Sequence, residues 1–459
     1  MRIKLDIPIA LSKISCITHG FMNARDKRVE FISTDSRICR EGDLFIALRG
    51  EKYDGADFTA EVRARGAYVM SCRKDADIVA RDTSYALLTL AAAYKNMLPM
   101  LRYTVAVTGS VGKSTTKEFL REILGVKFRV HATRENYNNE IGMPLTVLSA
   151  PRDTEVLVLE MGMNKSGEIA MLSRCAAPDV SIITNIGTSH VGMLGTRENI
   201  ALAKLEILSG MKEGGRLIVP NGEPLLEHYA SMFTGINSNT ADINIAPIEL
   251  CADSSRISVY KSGEHIFDTI LSLGGIHHLY NLSYAIAAAD LLDMSHEEIN
   301  VGISKISSNN SRQKVIKLDK ITLIDDSYNA SAESLSAAFS YLSLLVGNVK
   351  SALLSDVLEL GESSVDIHRK IGMTAAALGI DKLYLFGNFS YAIAEGAIAM
   401  GMSKEKIHLI KPNESPTEFA ERICDIFTEG ETVLAKASHA TDMNKALTAI
   451  KERLKIKDA

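Results

Sequence analysis

The sequence predicts an α/β protein of three domains, and two features of its 459 residues support this fold class. From about residue 103 onward, apolar runs of strand length alternate with helical patterns, which is typical of parallel sheets covered on both faces. The length suits two to four domains at roughly 100–200 residues each. We expect a small α/β N-terminal domain over 1–100, a central parallel-sheet domain over 101–313 and a C-terminal Rossmann-like doubly wound domain over 314–459.

Each domain is predicted from its own run of elements. In the first, "LFIAL" and "AYVMS" are strand-like, and "SYALLTLAAAYKNM" has the spacing of a helix that Pro99 ends. In the second, the runs "YTVAVTG", "EVLVLEMG" and "VSIITNIG" are apolar throughout and predict strands of a parallel sheet. The third begins with a hairpin around Asp319-Lys320 and continues as alternating strands and helices, the pattern of a doubly wound sheet.

Composition and charge argue against several classes of protein. With 46% hydrophobic and 23% charged residues, each domain can bury a core. A net charge of −5 argues against nucleic acid or an anionic membrane as the main partner. The six cysteines show no CxxC pair and no zinc-like spacing, so we expect free thiols in a reducing compartment. No apolar run is long enough for a membrane span and the N-terminus lacks a signal-peptide pattern, so we expect a cytoplasmic protein.

The stretch "VAVTGSVGKSTTKEFL" over 105–120 has the pattern of a strand, a glycine loop and a helix start. Main-chain N–H groups at a helix N-terminus attract an anion, and the helix dipole adds to the attraction. The lysine would add charge for the β- and γ-phosphates, and the serine hydroxyl can ligate Mg²⁺. We therefore expect a P-loop-type ATPase domain. Because this loop is shorter than the common phosphate loop, a plain glycine turn is the alternative. The candidate nucleotide-binding residues are Thr108, Gly109, Ser110, Val111, Gly112, Lys113, Ser114 and Thr115.

Further polar residues suggest a metal site beside this loop. Glu160 ends the strand "EVLVLE", and a carboxylate at the carboxyl end of a parallel strand lies in the ligand crevice. Asn185 and His190 follow the next strand, and neutral imidazole is a common metal ligand. Lys204 lies in a largely apolar helical stretch, and a neutral lysine adds carbon dioxide to become a metal-binding carbamate. The alternatives are a solvated glutamate, a structural histidine and a lysine that reaches solvent.

A series of blocks occurs in order along the chain: "TGSVGKS", "TRENYNNEIGMPL" (133–145), "TNIGTSH", "AKLEIL", "GGIHHLYNLSYAIAAA" and "DDSYNA". These blocks resemble those of the Mur ligases, the ATP-dependent amide-forming enzymes of peptidoglycan synthesis. Residues 33–58 and "IDDSYNASAES" followed by "SDVLELGESSVDIH" are most similar to the members that add D-alanyl-D-alanine to a UDP-muramoyl tripeptide. The matching blocks extend from residue 33 to about 445, nearly the whole chain.

The resemblance implies a role for each matched residue. The implied ligands of Mg²⁺ are Ser114, Glu160, His190 and a carbamylated Lys204. The implied ATP contacts are Asn185, His277 and Asn281 near adenine, Asp326 at the ribose and Arg312 at the γ-phosphate. The implied substrate contacts are Asp35, Ser36 and Arg37 for the uridine diphosphate, together with Asn138, Asn139, Tyr328, Asn329, Lys436 and Ser438. The implied catalytic residues are Lys113, Lys204, His190 and Arg312.

The implied reaction forms an acyl phosphate from the acceptor carboxylate and ATP, which the dipeptide amine then attacks. The chain departs from the family pattern in the block "KASHATDMNKAL", where His439 replaces the usual arginine and Asn444 falls about where a glutamate is usual. Ser331 and Ala332 replace Asn-Pro, and Ala56 replaces histidine. Because histidine lacks the bidentate fork of arginine, a different amino donor or acceptor is one alternative. A nucleotide-binding paralogue that regulates or scaffolds is another. We expect a monomer.

Overall fold

The computed structural model describes residues 1–50, 53–226, 237–238, 243–251, 253–307, 314–345 and 349–455. Their strands form four sheets, three of six strands and one of three. Two of the six-stranded sheets are parallel or nearly so, as expected for strands that are apolar throughout. The domain boundaries at 100/101 and 313/314 stay predictions.

The first sheet is mixed. Its strands are β1 (Arg2–Ala10), β2 (Phe21–Met22), β3 (Arg28–Ser33), β4 (Leu44–Ile46), β5 (Tyr68–Ser71) and β6 (Ile78–Val79). They lie in the order β1-β3-β4-β5-β6-β2, antiparallel at both ends and parallel between. The helices are α1 (Leu11–Ile17), α2 (Thr59–Ala64) and α3 (Thr83–Lys95). The Asp82 side chain caps α3, which confirms the helix predicted here.

The second sheet is parallel and carries the glycine loop. Its strands are β7 (Tyr103–Thr108), β8 (Val130–Ala132), β9 (Val156–Glu160), β10 (Val180–Ile183), β11 (Arg216–Ile218) and β12 (Asn237–Ser238). In the order β12-β11-β10-β7-β9-β8, the strand β7 lies between β10 and β9. The carboxyl ends of these three strands therefore lie side by side. The helices are α4 (Lys113–Leu124), α5 (Gly142–Leu148), α6 (Glu168–Ala176), α7 (Val191–Leu194) and α8 (Arg197–Leu205).

A three-stranded antiparallel sheet follows, which the sequence analysis did not predict. It consists of β13 (Ile243–Leu250), β14 (Ser255–Lys261) and β15 (Glu264–Leu271). Ser262 and Gly263 join the last two strands with positive φ at both residues, the geometry of a tight hairpin turn. The Ser-Gly pair was therefore the available signal. Two helices, α9 (Ile276–Leu291) and α10 (His296–Ser304), follow and pack against α4.

The last sheet confirms the predicted doubly wound pattern. Its strands are β16 (Lys314–Lys317), β17 (Ile321–Asp325), β18 (Lys350–Leu354), β19 (Lys382–Leu385), β20 (Ile407–Leu409) and β21 (Glu431–Lys436). Their order is β16-β17-β21-β18-β19-β20, in which β16 and β17 form the predicted antiparallel hairpin and the other pairs are parallel. The helices are α11 (Ala332–Leu344), α12 (Ser364–Ala377), α13 (Ser390–Ala399), α14 (Pro416–Ile426) and α15 (Met443–Arg453).

Separate apolar cores lie on the faces of these sheets. Among the helices of the described ranges, none has both the length and the apolar character needed to cross a membrane.

Candidate active site

The glycine loop between β7 and α4 is pressed tightly between two neighbouring elements. A Cβ on Gly109 would lie 1.9 Å from Oγ1 of Thr184, just beyond β10. A Cβ on Gly112 would lie 2.3 Å from Oδ1 of Asn281 on α9. Both glycines also have positive φ, so larger residues would clash and be strained. The loop is therefore a fitted part of the sheet edge, which argues against an incidental glycine turn.

Side chains from the end of β10 hold this loop in place. Oδ1 of Asn185 accepts hydrogen bonds from the main-chain N–H groups of Ser110 (3.0 Å) and Val111 (2.8 Å). The Ser110 hydroxyl in turn accepts from the N–H of Gly187 at 2.9 Å. Asn185, which the resemblance placed near adenine, thus contacts the phosphate loop itself. The Thr108 hydroxyl, before the loop, donates to the carbonyl of Met161 beyond β9.

Two lysines approach each other beside the loop. Lys113, at the start of α4, donates from Nζ to the carbonyls of Gly109 (2.8 Å) and Ser110 (3.4 Å). Lys204, on α8, is only 1% exposed. Burial, and after it the charge of Lys113, holds the pKa of Lys204 well below its ordinary value of 10.5. The structure therefore favours the neutral amine that a reaction with carbon dioxide requires, and contradicts a lysine that reaches solvent.

The candidate metal ligands Ser114 and Glu160 are in direct contact. The Ser114 hydroxyl donates to Oε2 of Glu160 at 2.7 Å, and the amide of Asn138 donates to Oε1 at 2.8 Å. Glu160 is only 1% exposed, which contradicts a solvated strand-end glutamate. A buried carboxylate beside a serine hydroxyl at a phosphate loop provides the oxygen donors that Mg²⁺ prefers. These residues therefore fit the implied metal.

Two residues that the sequence analysis missed support Glu160. The main-chain N–H of Glu160 donates to Oγ1 of Thr133 at 3.0 Å. The carbonyl of Thr133 in turn accepts from Nζ of Lys117, a fully buried lysine on α4, at 2.7 Å. Lys117 falls one helical turn after Ser114, so its helical spacing was the available signal.

His190 lies at a junction with the last sheet. Its Nδ1 is 2.6 Å from Oε2 of Glu359, and this contact lowers the pKa of the Glu359 carboxyl. Two residues earlier, the N–H of Thr188 donates to Oε1 of Glu333 at 2.7 Å. We call residues 184–192 the His190 loop. Neither glutamate was a sequence-predicted site residue. Within the described residues, no three side chains of His, Cys, Asp and Glu come close enough to hold a metal ion.

The implied nucleotide residues lie around α9 and the start of the last sheet. Oδ1 of Asn281 accepts from the Thr116 hydroxyl at 3.3 Å. The ring of His277 lies 4.1 Å from that of His278, and burial lowers its pKa to about 4. Asp326 forms a 2.6 Å ion pair with Lys436, and both residues are buried. Arg312 lies outside the described residues.

The implied substrate residues contact both neighbouring and distant parts of the chain. Among the residues implied for the uridine diphosphate, Asp35 forms a 2.8 Å ion pair with Arg37, which lowers the pKa of Asp35 to about 2. Ser36, which lies between them, is buried. Among the other implied substrate residues, Oδ1 of Asn139 accepts from the N–H of Gly142 at 2.8 Å, and the Ser438 hydroxyl accepts from the N–H of Leu358 at 3.0 Å.

Two of the positions that depart from the family pattern, His439 and Ser331, lie in the C-terminal domain. The ring centroid of Tyr328 lies 5.7 Å from that of His439. The carbonyl of Asn329 accepts from Lys436 at 3.0 Å. Ser331 caps α11 through its hydroxyl, so this replacement retains a local structural role.

This fold and site define a nucleotide-binding α/β protein of the phosphate-loop class. Models of the Mur ligase family catalytic domain and the Mur ligase middle domain match residues 28–109 and 107–289. The chain is 35% identical to the UDP-N-acetylmuramoyl-tripeptide–D-alanyl-D-alanine ligase of Bacillus subtilis, over 90% of this chain and 91% of the relative. It is 28% identical to the Escherichia coli enzyme of the same name, over 97% and 99% of the two chains. The chain belongs to the Mur ligase family.

Solved structures support the same assignment. A structure of MurF from Acinetobacter baumannii, 30% identical, superposes with a TM-score of 0.88 over 98% of this chain and 100% of that chain. The MurF ligase of Thermotoga maritima in complex with ADP, 28% identical, superposes with a TM-score of 0.81 over 92% and 97%. The predicted three-domain α/β fold is therefore confirmed.

Proposed function

We propose that this protein is the ATP-dependent ligase that adds D-alanyl-D-alanine to UDP-N-acetylmuramoyl-tripeptide in the synthesis of peptidoglycan precursors. The observation that carries the proposal is the contact of Ser114 with buried Glu160 beside a phosphate loop. The relatives and solved structures of that name, which match 90 to 98% of the chain, support the choice of substrates. We also expect a cytoplasmic monomer.

The chain's residues fit the two steps of this reaction. The acceptor carboxylate attacks the γ-phosphate of ATP, releasing ADP and leaving an acyl phosphate. Lys113 reduces the repulsion between the two anions, and Arg312 is proposed to share this role. The donor amine then attacks the acyl carbon, and the C–O bond to phosphate breaks as the amide forms. Because acyl phosphates hydrolyse, the residues of the last sheet that cover the His190 loop would help to exclude water.

The implied Mg²⁺ would be held by Ser114, Glu160, His190 and Lys204, and when bound would neutralise charge on the phosphates. The buried amine of Lys204 supports the carbamate proposal. In that reaction the neutral amine nitrogen bonds to the carbon of CO₂ and loses a proton, which leaves a carbamate anion. A protein that only binds nucleotide has no need of this group, which argues against the scaffold alternative.

His439 is the observation that favours a second candidate, a ligase of this family with a different amino donor. It lies against Tyr328, where the family pattern has arginine, and an imidazole cannot form the two parallel hydrogen bonds that an arginine makes with a carboxylate. The experiment that separates the candidates measures phosphate release from ATP with UDP-muramoyl tripeptide. Release that requires D-alanyl-D-alanine supports the first candidate, and release only with another amine supports the second. No release with any amine contradicts both.

A variant of Lys204 tests the carbamate. The activity of Lys204→Ala is expected to fall about 100-fold or more, because the variant loses one charged group that is positioned in the active site. Short carboxylates or bicarbonate should restore part of it. Lys204→Met serves as the control for folding, because it keeps the volume while removing a buried amine, and its unfolding midpoint should not fall. Full activity of Lys204→Ala without additives would remove the carbamate from the proposal.

A further inference from the structure

A buried lysine on α4 takes part in no step of the proposed reaction. Lys117 lies one helical turn beyond Ser114 and is only 2% exposed. Its Nζ donates to the main-chain carbonyl of Thr133 at 2.7 Å and lies 3.0 Å from Oε1 of Glu118. Thr133, the residue that follows β8, is buried to the same degree. An ammonium group in such surroundings costs free energy unless it is paired, so its presence calls for a reason.

Stability alone is a weak reason for this buried charge. An apolar side chain of similar volume commonly leaves a fold as stable or more stable, because no charge has to be removed from water. Lys95 on α3 is a second buried lysine, and its Nζ donates to the carbonyl of Ala176, the last residue of α6. A cation is favourable at the negative end of a helix. Lys117 has no helix end as its partner, because Thr133 follows a strand.

The contacts of Lys117 complete a ring of bonds around Glu160. On one side, the first turn of α4 leads back to Ser114, whose hydroxyl donates to Oε2 of Glu160 at 2.7 Å. On the other side, Oγ1 of Thr133 accepts from the main-chain N–H of Glu160 at 3.0 Å. The N–H of Thr133 also donates to the carbonyl of Val158, which continues the pairing of β8 with β9. Glu160 is therefore held relative to α4 through both its carboxylate and its main chain.

We propose that Lys117 is a positioning residue which acts through Thr133 to set the spacing of Glu160 and Ser114 for a divalent cation. This inference rests on the proposed function, because it takes these two side chains as oxygen ligands of Mg²⁺. The ammonium of Lys117 holds the Thr133 carbonyl against α4, and the Thr133 hydroxyl holds the main chain of Glu160. Because Mg²⁺ demands nearly ideal octahedral geometry, a small change in the spacing of two ligands weakens its binding.

The test measures metal affinity directly. Mn²⁺ replaces Mg²⁺, the nucleotide is AMP-PNP, and free Mn²⁺ is followed by electron paramagnetic resonance. Lys117→Met keeps most of the volume but removes the bond to Thr133, and is expected to weaken Mn²⁺ binding about 10-fold, as the loss of an outer-shell partner does. Lys95→Met removes the other buried ammonium and is the matched control, which should bind Mn²⁺ as the wild type does. Unchanged affinity in Lys117→Met, or an equal loss in Lys95→Met, would overturn the inference.

Variants of Thr133 test the same link without removing a charge. Thr133→Val deletes the hydroxyl at nearly the same volume and should weaken Mn²⁺ binding by a similar factor. Thr133→Ser should bind nearly as the wild type does, because its hydroxyl can still accept from the N–H of Glu160. Adding Lys117→Met to Thr133→Val should cause little further loss, since the link is already broken. A full further loss, or equal affinities of the valine and serine variants, would show that Lys117 does not act through Thr133.

Thermal unfolding of each variant separates a loss of affinity from misfolding. If Lys117→Met does not fold, the comparison of Thr133→Val with Thr133→Ser decides the question. Failure of the proposed function gives a different result: the wild type would bind Mn²⁺ with AMP-PNP but release no phosphate with the tripeptide and dipeptide. The inference itself fails when the wild type binds Mn²⁺ and the folded Lys117→Met binds it equally well.

Discussion

Two regions of the site are built in different ways. One is the edge of the central sheet that carries the glycine loop and Glu160, and the other is the junction between the His190 loop and the C-terminal sheet. At the edge, Ser114 and Asn138 both contact Glu160, within one sheet and its own loops. At the junction, the contacts join distant parts of the chain: Thr188 and Glu333 are 145 residues apart. The edge can therefore form when the central sheet folds, whereas the junction forms only when two sheets dock.

This difference indicates how the two halves of the site would respond to change. Substitutions at the edge should alter phosphate and metal binding without disturbing the packing of the two sheets. Substitutions in the C-terminal sheet should first change the stability of that sheet, and reach the edge through the elements that contact it, the His190 loop and α9. The predictions below test this separation.

The largest expected effect is that of Lys113→Ala at the edge. Removing a charge aimed at the transferred phosphate should lower kcat by about 10³-fold. Because Lys113 lies at the first residue of α4 and its side chain is only partly buried, the free energy of unfolding should change by about 0.5 kcal/mol or less. Phosphate release and urea unfolding measure the two quantities. Lys165→Ala, which changes an exposed lysine in the loop between β9 and α6, is the control. Retained turnover would contradict the assignment of this loop.

The next effect concerns stability on the C-terminal side. Lys436→Met leaves the Asp326 carboxylate without its partner at a largely buried position and should lower the free energy of unfolding by about 3 kcal/mol. Urea unfolding followed by circular dichroism measures it. The double variant Lys436→Met with Asp326→Asn should recover much of the loss, because no unpaired charge remains. If the single variant is as stable as the wild type, the pair contributes nothing and the C-terminal side is less sensitive than we infer.

The edge was largely predictable from the sequence, and the junction was not. Glu160 and the glycine loop follow apolar strands of one parallel sheet, so the general rule for strand ends brings them together. Glu333 lies in the first turn of an ordinary helix, and Glu359 follows a strand in another sheet. Their contacts with the His190 loop depend on how two sheets dock, which neither spacing nor periodicity encodes. Sequence patterns likewise gave Asn185 as a polar residue near the site, without its role in holding the loop.

A smaller effect is expected for Asn138→Ala, which removes the amide that donates to Oε1 of Glu160. Affinity for Mn²⁺ should fall about 10-fold, since the carboxylate keeps its serine contact but loses one orienting donor. The neighbour Asn139 provides a matched control, because its side chain accepts from the main-chain N–H of Gly142 and, in the described hydrogen bonds, does not donate to Glu160. Asn139→Ala should keep the metal affinity. Equal losses in the two variants would show that the edge responds as a whole and not through Glu160.

The smallest effect is a pH dependence at His277, which lies where α9 approaches the C-terminal sheet. Burial lowers its pKa from the ordinary value of 6.5 to about 4, Asp326 raises it and Lys436 lowers it further. Between these two values the unfolded chain takes up a proton that the folded ring does not, so this group makes the fold less stable as pH falls below 6.5. Because part of the residue contacts solvent, we expect a contribution of about 1 kcal/mol at pH 5.

Urea unfolding at pH 7 and pH 5 measures this loss of stability in the wild type and in His277→Gln. The variant should lose less stability than the wild type over the same interval. If the variant has the same pH dependence as the wild type, His277 does not cause the loss of stability in acid. Other histidines whose pKa is lowered by burial, such as His131 and His368, would then be its source.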